Sequence, residues 1–227
     1  MRDMPFETLQ SGWFGELPPE IQHYLISIGR SEKATSGDTV FDVGAEGRDL
    51  YGVIDGSIRL LVASNEHHPR FAHLVCPGSW FGENELVTRS PRLMEAQAAE
   101  DSLLLRISAF ELERSSRNHP DIWRWIARLS AQQTMLAISA ADDLMLRNPQ
   151  MRIAALLLRL SGQRGCHHDT KPRHRISASQ QEISEALNLS LSGTGRLLRQ
   201  LDREQIIRLH YGNLTIEDNQ NLARLLQ

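Results

Sequence analysis

The sequence predicts an α+β fold that combines an N-terminal antiparallel β-roll of jelly-roll type, a long helix and a C-terminal winged helix-turn-helix. Short apolar runs separated by glycine turns extend from residue 34 to about residue 107, as in an antiparallel sandwich or barrel. No Gly or Pro interrupts residues 121–147, which favours one long helix. Two short capped helices and a hairpin signal follow within residues 179–216. The predicted domains are residues 1–117 for the β-roll, 118–147 for the long helix and 148–227 for the winged helix-turn-helix.

Charge is divided unevenly between the two ends of the chain. The 227 residues carry a formal net charge of −3. Residues 1–147 contain 14 Lys+Arg and 21 Asp+Glu, a net charge of −7, whereas residues 148–227 contain 11 and 7, a net charge of +4. An acidic part joined to a basic one is what a protein with a single DNA-facing domain would show.

Several classes of protein are excluded by what the sequence lacks. It contains no run of about 18 apolar residues and no secretory signal at its N-terminus, so we expect a cytoplasmic protein with no membrane partner. Cys76 and Cys166 lie far apart and do not suggest a disulfide framework. No phosphate loop of the Walker type and no Gly-x-Ser-x-Gly occurs, so we expect no catalytic residues and no enzymatic activity.

The strand region is preceded by helical sequence and interrupted by one short helix. Residues 6–30 are typical of helices, with Pro18 and Pro19 near the start of one of them. Residues 78–87 then indicate a glycine turn that leads into a helix, with Arg92 close behind. Amides at a helix start and a nearby arginine can bind an anion, but the spacing alone favours a structural turn with a surface arginine.

The long helix carries an apolar stripe at heptad spacing. The stripe consists of Ile122, Ile126, Leu129, Gln133, Leu136 and Ala140. It favours pairing with a second copy of the chain, and packing against the helix's own domain is the alternative. We expect Trp123 and Trp125 to pack against the strand domain. Asn148 and Pro149 are the cap and first residue of the next helix, so a hinge is expected there.

The helix-turn-helix signal begins at Ser179, which forms a capping box with Glu182. Asn188 tolerates the left-handed backbone of a tight turn, and Ser190 can cap the second helix. That helix is expected to bury Thr194, Leu197, Leu198 and Leu201 and to expose Ser192, Arg196, Arg199 and Arg203. A helix of this kind fits the major groove of B-DNA, where arginine can bond to guanine.

The remaining segments complete the C-terminal domain. Two short apolar runs around Gly212 and Asn213 indicate the hairpin of a wing, and Asp218 is expected to cap a last helix through Leu226. The loop of residues 162–175 contains Cys166, His167, His168 and His174. Zinc binding is one reading of these residues, but no second pair at finger-like spacing exists, so a polar loop is favoured and no metal site is predicted.

The order of these parts resembles the Crp/Fnr family of bacterial transcription regulators. Residues 50–58 look like the family's strand-turn-strand signature, and residues 78–83 look like its phosphate-binding cassette. Residues 181–183 and 195–198 look like the two helices of its DNA-binding motif. The resemblance covers nearly the whole chain. It implies a cyclic-nucleotide-binding-like domain and a homodimer that binds a two-fold symmetric DNA site and works with RNA polymerase.

The predicted sites follow from the motifs and this resemblance. The predicted DNA-binding residues, on and before a recognition helix at about residues 190–203, are Ser179, Gln180, Gln181, Leu191, Ser192, Gly193, Arg196, Arg199 and Arg203. The residues expected to meet a small anionic effector are Gly82, Glu83, Asn84, Arg92 and Leu93. An alternative function is a module that binds a small nucleotide-like anion and whose helix-turn-helix docks protein rather than DNA.

The chain departs from the family pattern at several positions. Arg92 is followed by Leu93 and Met94, where the cAMP-binding members have Ser or Thr and then Ala, and Ala140 and Ala141 stand where those members have hydroxyls. We therefore do not expect cAMP. The iron-sulfur members carry cysteines near the N-terminus and this chain has none before Cys76, so no iron-sulfur cluster is expected.

Two further departures concern haem and the recognition helix. His73 and Cys76 lie near the region of the haem ligands, but the local pattern differs, so haem is not expected. Leu191 and Ser192 stand where family members often have Arg and Glu, and Arg196 is kept. We therefore expect a half-site different from the familiar one.

Overall fold

The computed structural model describes residues 6–62, 69–164 and 173–227. The chain divides into two compact units, one made of residues 1–69 and 75–132 and the other of residues 70–74 and 133–227. None of the described helices is long and apolar enough to cross a membrane. The zinc hypothesis depends on Cys166, His167 and His168, which lie outside the described residues.

The first part of the chain is built of short strands and short helices, as its turn signals predict. A 3-10 helix, Phe6–Gln10, opens the described chain. The helices are α1 (Gly12–Gly15), α2 (Pro19–Ile28), α3 (Glu83–Thr88) and α4 (Ala109–Ser115). The strands are β1 (Arg30–Ala34), β2 (Thr39–Phe41), β3 (Leu50–Asp55), β4 (Ile58–Val62), β5 (Arg70–Val75), β6 (Trp80–Phe81), β7 (Met94–Ala98) and β8 (Ser102–Ile107).

These strands form two four-stranded sheets, in the orders β1-β8-β3-β6 and β2-β7-β4-β5. The pairing is antiparallel, with Glu32 opposite Leu104 and Leu60 opposite Ala96, which confirms the predicted antiparallel roll. Gly56 turns β3 into β4 with a φ of 79°, a backbone angle that glycine adopts without strain. A β-carbon at this residue would also clash with the hydroxyl of Ser102. Both the backbone angle and the lack of space therefore require glycine in this turn.

Strand β3 is buried on both faces, which explains why it is a continuous apolar run in the sequence. Tyr51 and Val53 point into the cluster that joins the two sheets. Leu50 and Ile54 point the other way, into a cluster that includes residues of α1, α2, α4 and the long helix. The first sheet is therefore the middle layer between the second sheet and the helices.

The long helix α5 runs from Ile122 to Met145, about 36 Å at 1.5 Å per residue. The seam prediction is wrong for its first half, because Ile122, Ile126 and Leu129 are buried in the core of the chain's own first unit. Apolar spacing indicates that a stripe is buried, but it does not indicate which surface buries it. The sequence was therefore compatible both with pairing to a second copy and with packing against the helix's own domain. Trp123 and Trp125 pack against the same core, as predicted.

The second unit begins in the second half of α5 and continues through α6 (Pro149–Leu160). Asn148 caps α6 through Gln150 N, as predicted. Asp143, with a fully buried side chain, bonds Arg159 at 3.0 Å and Arg164 at 2.7 Å. The pair with Arg159 links the end of α5 to α6, and the pair with Arg164 links it to the residues that follow α6. Removing one partner of the buried Asp143–Arg159 pair would leave an uncompensated buried charge, which is costly.

The remaining elements make a winged helix-turn-helix. They are β9 (Arg175–Ile176), α7 (Gln180–Ala186), α8 (Leu191–Arg203), β10 (Ile207–His210), β11 (Asn213–Ile216) and α9 (Asn219–Arg224). The three strands form one antiparallel sheet in the order β10-β11-β9. Asp218 caps α9 as predicted, but the helix ends at Arg224, two residues earlier than expected.

Candidate nucleic-acid interface and ligand pocket

Side-chain caps set the geometry of the helix pair. Ser179 accepts a hydrogen bond from Glu182 N, and the Glu182 carboxylate accepts one from Ser179 N, so the predicted capping box is complete. Asn188 turns the chain with a φ of 50°. Ser190 then caps α8 by accepting from Gly193 N at 3.2 Å. The backbone N–H groups at the starts of both helices are bonded by side chains no more than three residues away. The geometry of the turn is therefore determined by neighbouring residues in the sequence.

The recognition helix α8 has one buried face and one charged face. Thr194, Leu198 and Leu201 have no exposed surface, while Leu197 is half-buried. The exposed positions, as predicted, are Ser192, Arg196, Arg199 and Arg203, and Leu191 at the start of the helix is also exposed. Burial of the apolar face anchors the helix to its domain, so the arginine row is presented to solvent on a rigid support.

Two glycines shape the surface of α8. A β-carbon at Gly195 would lie 2.8 Å from Oε1 of Gln180, so glycine lets the start of α7 approach α8 closely. A β-carbon at Gly193 would lie 2.9 Å from the capping hydroxyl of Ser190. The sequence alone gives no reason for a glycine at residue 193. The structure gives one, because the absence of a β-carbon leaves space for the hydroxyl of Ser190 that caps the helix.

The wing stands next to the start of α7. Tyr211 is fully exposed at its tip, and Gly212 turns the hairpin with a φ of 72°. A recess of about 230 Å³ lies between the wing and α7, lined among others by Ser179, Gln180 and Tyr211. Of the predicted DNA-binding residues, Gln181 is also exposed on α7, where it bonds Glu185. The structure therefore brings the predicted residues of α7 and α8 together in one region of the domain.

Asp202 is a residue that sequence reasoning missed. Its carboxylate accepts a hydrogen bond from Leu209 N at 3.0 Å, which ties the end of α8 to the first strand of the wing. The only sequence signal was an acidic residue among the arginines of α8, and no local rule connects it to a strand seven residues later. The contact fixes how the wing leaves the helix.

The predicted ligand residues cluster at the start of α3. Gly82 caps this helix in a left-handed conformation with a φ of 91°. Glu83 is buried and Asn84 half-buried, whereas Leu93 is exposed. Burial raises the pKa of Glu83 from 4.5 to about 7, with the nearby Glu85 adding to the rise and Arg92 opposing it. Arg92 is buried, not the surface residue of the simpler reading.

The hydrogen-bond donors of Arg92 meet acceptors of the protein itself. Its Nη1 donates to Gly82 O at 3.2 Å and to the carboxylate of Glu85 at 2.9 Å, and its Nη2 donates to Asp49 O at 2.7 Å. Its guanidinium lies 4.0 Å from the centre of the Phe41 ring. Only Nε is buried without a partner among the described residues.

Comparison with known proteins assigns both parts of the chain. Residues 31–119 match the cyclic nucleotide-binding domain, and residues 151–225 match the Crp-like helix-turn-helix domain. The fumarate and nitrate reduction regulatory protein of Yersinia pestis is 26% identical over 87% of this chain and 79% of its own length. The cyclic AMP receptor protein of Thermus thermophilus is 27% identical over 90% and 92%.

The chain belongs to the Crp/Fnr family of transcription regulators. Its structure is similar to that of a CRP/FNR family regulator from Thermus thermophilus, with a TM-score of 0.64 and 25% identity over 87% of this chain and 98% of that one. FixK2 of Bradyrhizobium japonicum shares the fold, with a TM-score of 0.72 and 17% identity over 87% and 97%. Like other Crp/Fnr regulators, the chain is a DNA-binding transcription regulator.

The cyclic nucleotide implied by a Crp/Fnr effector domain does not fit the residues present here. A cyclic phosphate needs free cationic and amide donors, and the terminal nitrogens of Arg92 already bond Glu85 and two carbonyls. Leu93 supplies no hydroxyl where the next donor would stand.

His73 and Cys76 are the two residues that lie near the region of the haem ligands. Burial, with Arg159 and Arg173 nearby, lowers the pKa of His73 to about 3, so its imidazole is neutral at neutral pH. Cys76 is buried, only 4% exposed. Cys76 therefore belongs to the interior of the protein, whereas His73 is half-buried.

Proposed function

We propose that this regulator acts as a homodimer that binds a two-fold symmetric DNA site through α8. The observation that carries the proposal is the row of Arg196, Arg199 and Arg203, exposed on α8 opposite a face with no solvent exposure. A helix with one face locked in the domain and arginines on the other is suited to enter a major groove. The domains that would do this are the β-roll of residues 1–117, the dimer helix of residues 118–147 and the DNA-binding part of residues 148–227.

The proposed contacts divide by position along the helix pair. Ser179, Gln180 and Gln181 at the start of α7 would meet backbone phosphates, which position the protein without reading sequence. The first residues of α8, namely Leu191, Ser192, Gly193 and Arg196, would meet base edges, with Arg196 bonded to a guanine. Arg199 and Arg203, further along α8, would meet phosphates on the far side of the groove.

Dimerisation is supported by the second half of α5. Met135 and Ile138 are 45% and 56% exposed, and Met145 is 80% exposed at the end of the helix. Their spacing of three and seven residues places them on one stripe, as in a helix that pairs with a parallel copy of itself. This stripe differs from the predicted one, whose residues in this half, Gln133, Leu136 and Ala140, are half-buried. RNA polymerase is the proposed protein partner of the DNA-bound dimer. A small anionic effector at Gly82, Glu83, Asn84, Arg92 and Leu93 is the companion proposal, and such an effector would have to displace the carboxylate of Glu85 from Arg92.

The test is DNA binding by matched variants. A site selected from random duplexes by the purified protein is labelled, and its affinity is measured by fluorescence anisotropy for wild type, Arg196→Ala and Arg30→Ala. Arg30 is exposed on β1 and carries the same charge outside the DNA-binding part. Arg196→Ala should lose about 1–3 kcal/mol per half-site and tolerate substitution of one base pair, because it removes one base contact.

The outcomes separate base reading from general attraction. Arg30→Ala should bind as wild type does. If Arg196→Ala loses the same affinity for the selected site as for random DNA, then Arg196 does not read a base. Absence of a selectable site, together with capture of a protein by α8, would favour the docking alternative. Affinity should also fall steeply with salt, because bound arginines release counterions from the duplex.

A further inference from the structure

A carboxylate of the chain itself occupies the anion donors of the β-roll. Glu85, the third residue of α3, is 3% exposed, and Arg92 is 2% exposed. Oε2 of Glu85 lies 2.9 Å from Nη1 of Arg92, and Oε1 accepts a hydrogen bond from the backbone N–H of Leu93 at 3.1 Å. Both carboxylate oxygens are therefore held, one by a positive charge and the other by an amide. A cation and an adjacent amide are the donors that a phosphate oxygen would seek.

The rest of the guanidinium is enclosed by protein. The carbonyls of Gly82 and Asp49 take further N–H donors, and the Phe41 ring covers one face at 4.0 Å. A β-carbon at residue 82 would lie 2.9 Å from Nη1 of Arg92 and 2.7 Å from Asp49 O. Glycine at this position therefore permits the enclosure. The Nε–H donor has no exposed surface, so a ligand oxygen reaches it only after side chains move.

A phosphate that entered this position would be repelled by the negative charge of Glu85, and it would find the donors already bonded. Glu85 already neutralises Arg92. A phosphate that entered without displacing Glu85 would be the second negative charge on one cation. A phosphate that displaced Glu85 would leave that carboxylate without its partner, in a position where it is almost fully buried.

We propose that Glu85 is a built-in anion that fills the phosphate position of the β-roll, so that the donors of this position are satisfied without a cyclic nucleotide. The ligand-like carboxylate comes from α3, and its partners come from the two residues that follow the turn after α3. The occupying anion is thus encoded in the chain rather than supplied by a metabolite. This inference does not depend on DNA binding, because it is tested by small anions on the purified protein alone.

The first experiment uses the wild-type protein. Isothermal titration calorimetry is performed with cAMP, with cGMP and with inorganic phosphate, each against a sodium chloride titration of equal ionic strength. The expected result is no saturable heat with any of the three. Saturable binding of either cyclic nucleotide in the micromolar range would overturn the proposal.

The second experiment opens the site by removing the built-in charge. Glu85→Gln keeps the shape of the side chain and leaves Arg92 without a counter-charge. Its melting temperature should be several degrees below that of wild type, and inorganic phosphate should raise it saturably by several degrees at constant ionic strength. Wild type and Glu46→Gln, a matched change at an exposed glutamate, should not respond to phosphate. The double variant Glu85→Gln/Arg92→Met should lose the response, because the cation is gone.

The variants give a clear refutation. If Glu85→Gln is as stable as wild type and does not respond to phosphate, Glu85 does not hold the anion position. If Glu85→Gln does not fold, the wild-type titrations decide between the two outcomes on their own.

Discussion

Glu83 should make the stability of the protein depend on pH in a direction opposite to that of an ordinary carboxylate. Its side chain is 3% exposed, and burial raises its pKa from 4.5 to about 7, with Glu85 adding to the rise and Arg92 opposing it. Between these two pKa values the folded chain binds a proton that the unfolded chain releases. The favourable contribution is therefore complete below pH 4.5 and is lost as the pH rises through 7.

The magnitude follows from the difference between the two pKa values. Each pKa unit corresponds to about 1.4 kcal/mol, so a rise from 4.5 to about 7 amounts to roughly 3 kcal/mol in full. Most of this loss, on the order of 2–3 kcal/mol, falls between pH 5 and pH 8. Glu83→Gln places a neutral side chain of the same size at this position, and its stability should not vary with this proton.

The assay is urea unfolding of wild type and Glu83→Gln at pH 5 and at pH 8, followed by tryptophan fluorescence. Relative to wild type, the variant should become more stable by about 2–3 kcal/mol on going from pH 5 to pH 8. Glu46→Gln, at an exposed position, should keep a constant difference from wild type. A difference between wild type and Glu83→Gln that is the same at both pH values would refute the assignment of a buried, protonated Glu83.

Three further changes test other parts of the structure. Asp143→Asn should lower the free energy of unfolding by about 3–5 kcal/mol in urea titrations, because it leaves buried arginine charge without its partner. Ile138→Glu should weaken the dimer by about 100-fold or more in analytical ultracentrifugation, since both copies lose an apolar contact. Gly52→Ala should cost about 1–3 kcal/mol in urea titrations, because its β-carbon would lie 2.8 Å from the buried Trp80 ring.

Two of these changes have a control variant, and the third has a direct contradicting outcome. Asp142 bonds Arg164 from an exposed position, so Asp142→Asn should change stability by no more than about 0.5 kcal/mol. Phe110 is 69% exposed on α4, so Phe110→Glu should leave the dimer intact. An Ile138→Glu dimer as tight as wild type would place the subunit interface elsewhere. Unchanged stability in Gly52→Ala would show that the Trp80 ring shifts without cost.

Local chemistry explains why the helix-turn-helix was predicted in detail. The Ser179 capping box, the left-handed Asn188 and the Ser190 cap each depend on groups within four residues of one another. The buried and exposed faces of α8 follow from a period of 3.6 residues. The Asn148 cap and the wing hairpin are likewise predicted from patterns that span only a few residues. The Crp/Fnr assignment combined these local signals with the order of the parts.

Contacts between distant residues explain what was missed. The α5 stripe was visible, but whether Ile122 and Ile126 meet a second copy or their own core depends on strands up to about 70 residues away. The burial of Asp143 depends on Arg159 in the next helix. No spacing rule reports which surface covers a periodic apolar face, because the period is the same for either partner.

By itself, the sequence determined the α+β class, the order of the parts, the caps of the helix pair and the arginine face of α8. Each of these depends on periodicity or on a hydrogen bond between near neighbours, and such information is complete within a short segment. The tertiary structure alone decided that Arg92 is buried and that Glu85, rather than free solvent, faces its guanidinium. The charge state and availability of a buried group depend on everything packed around it, and no short segment contains that environment.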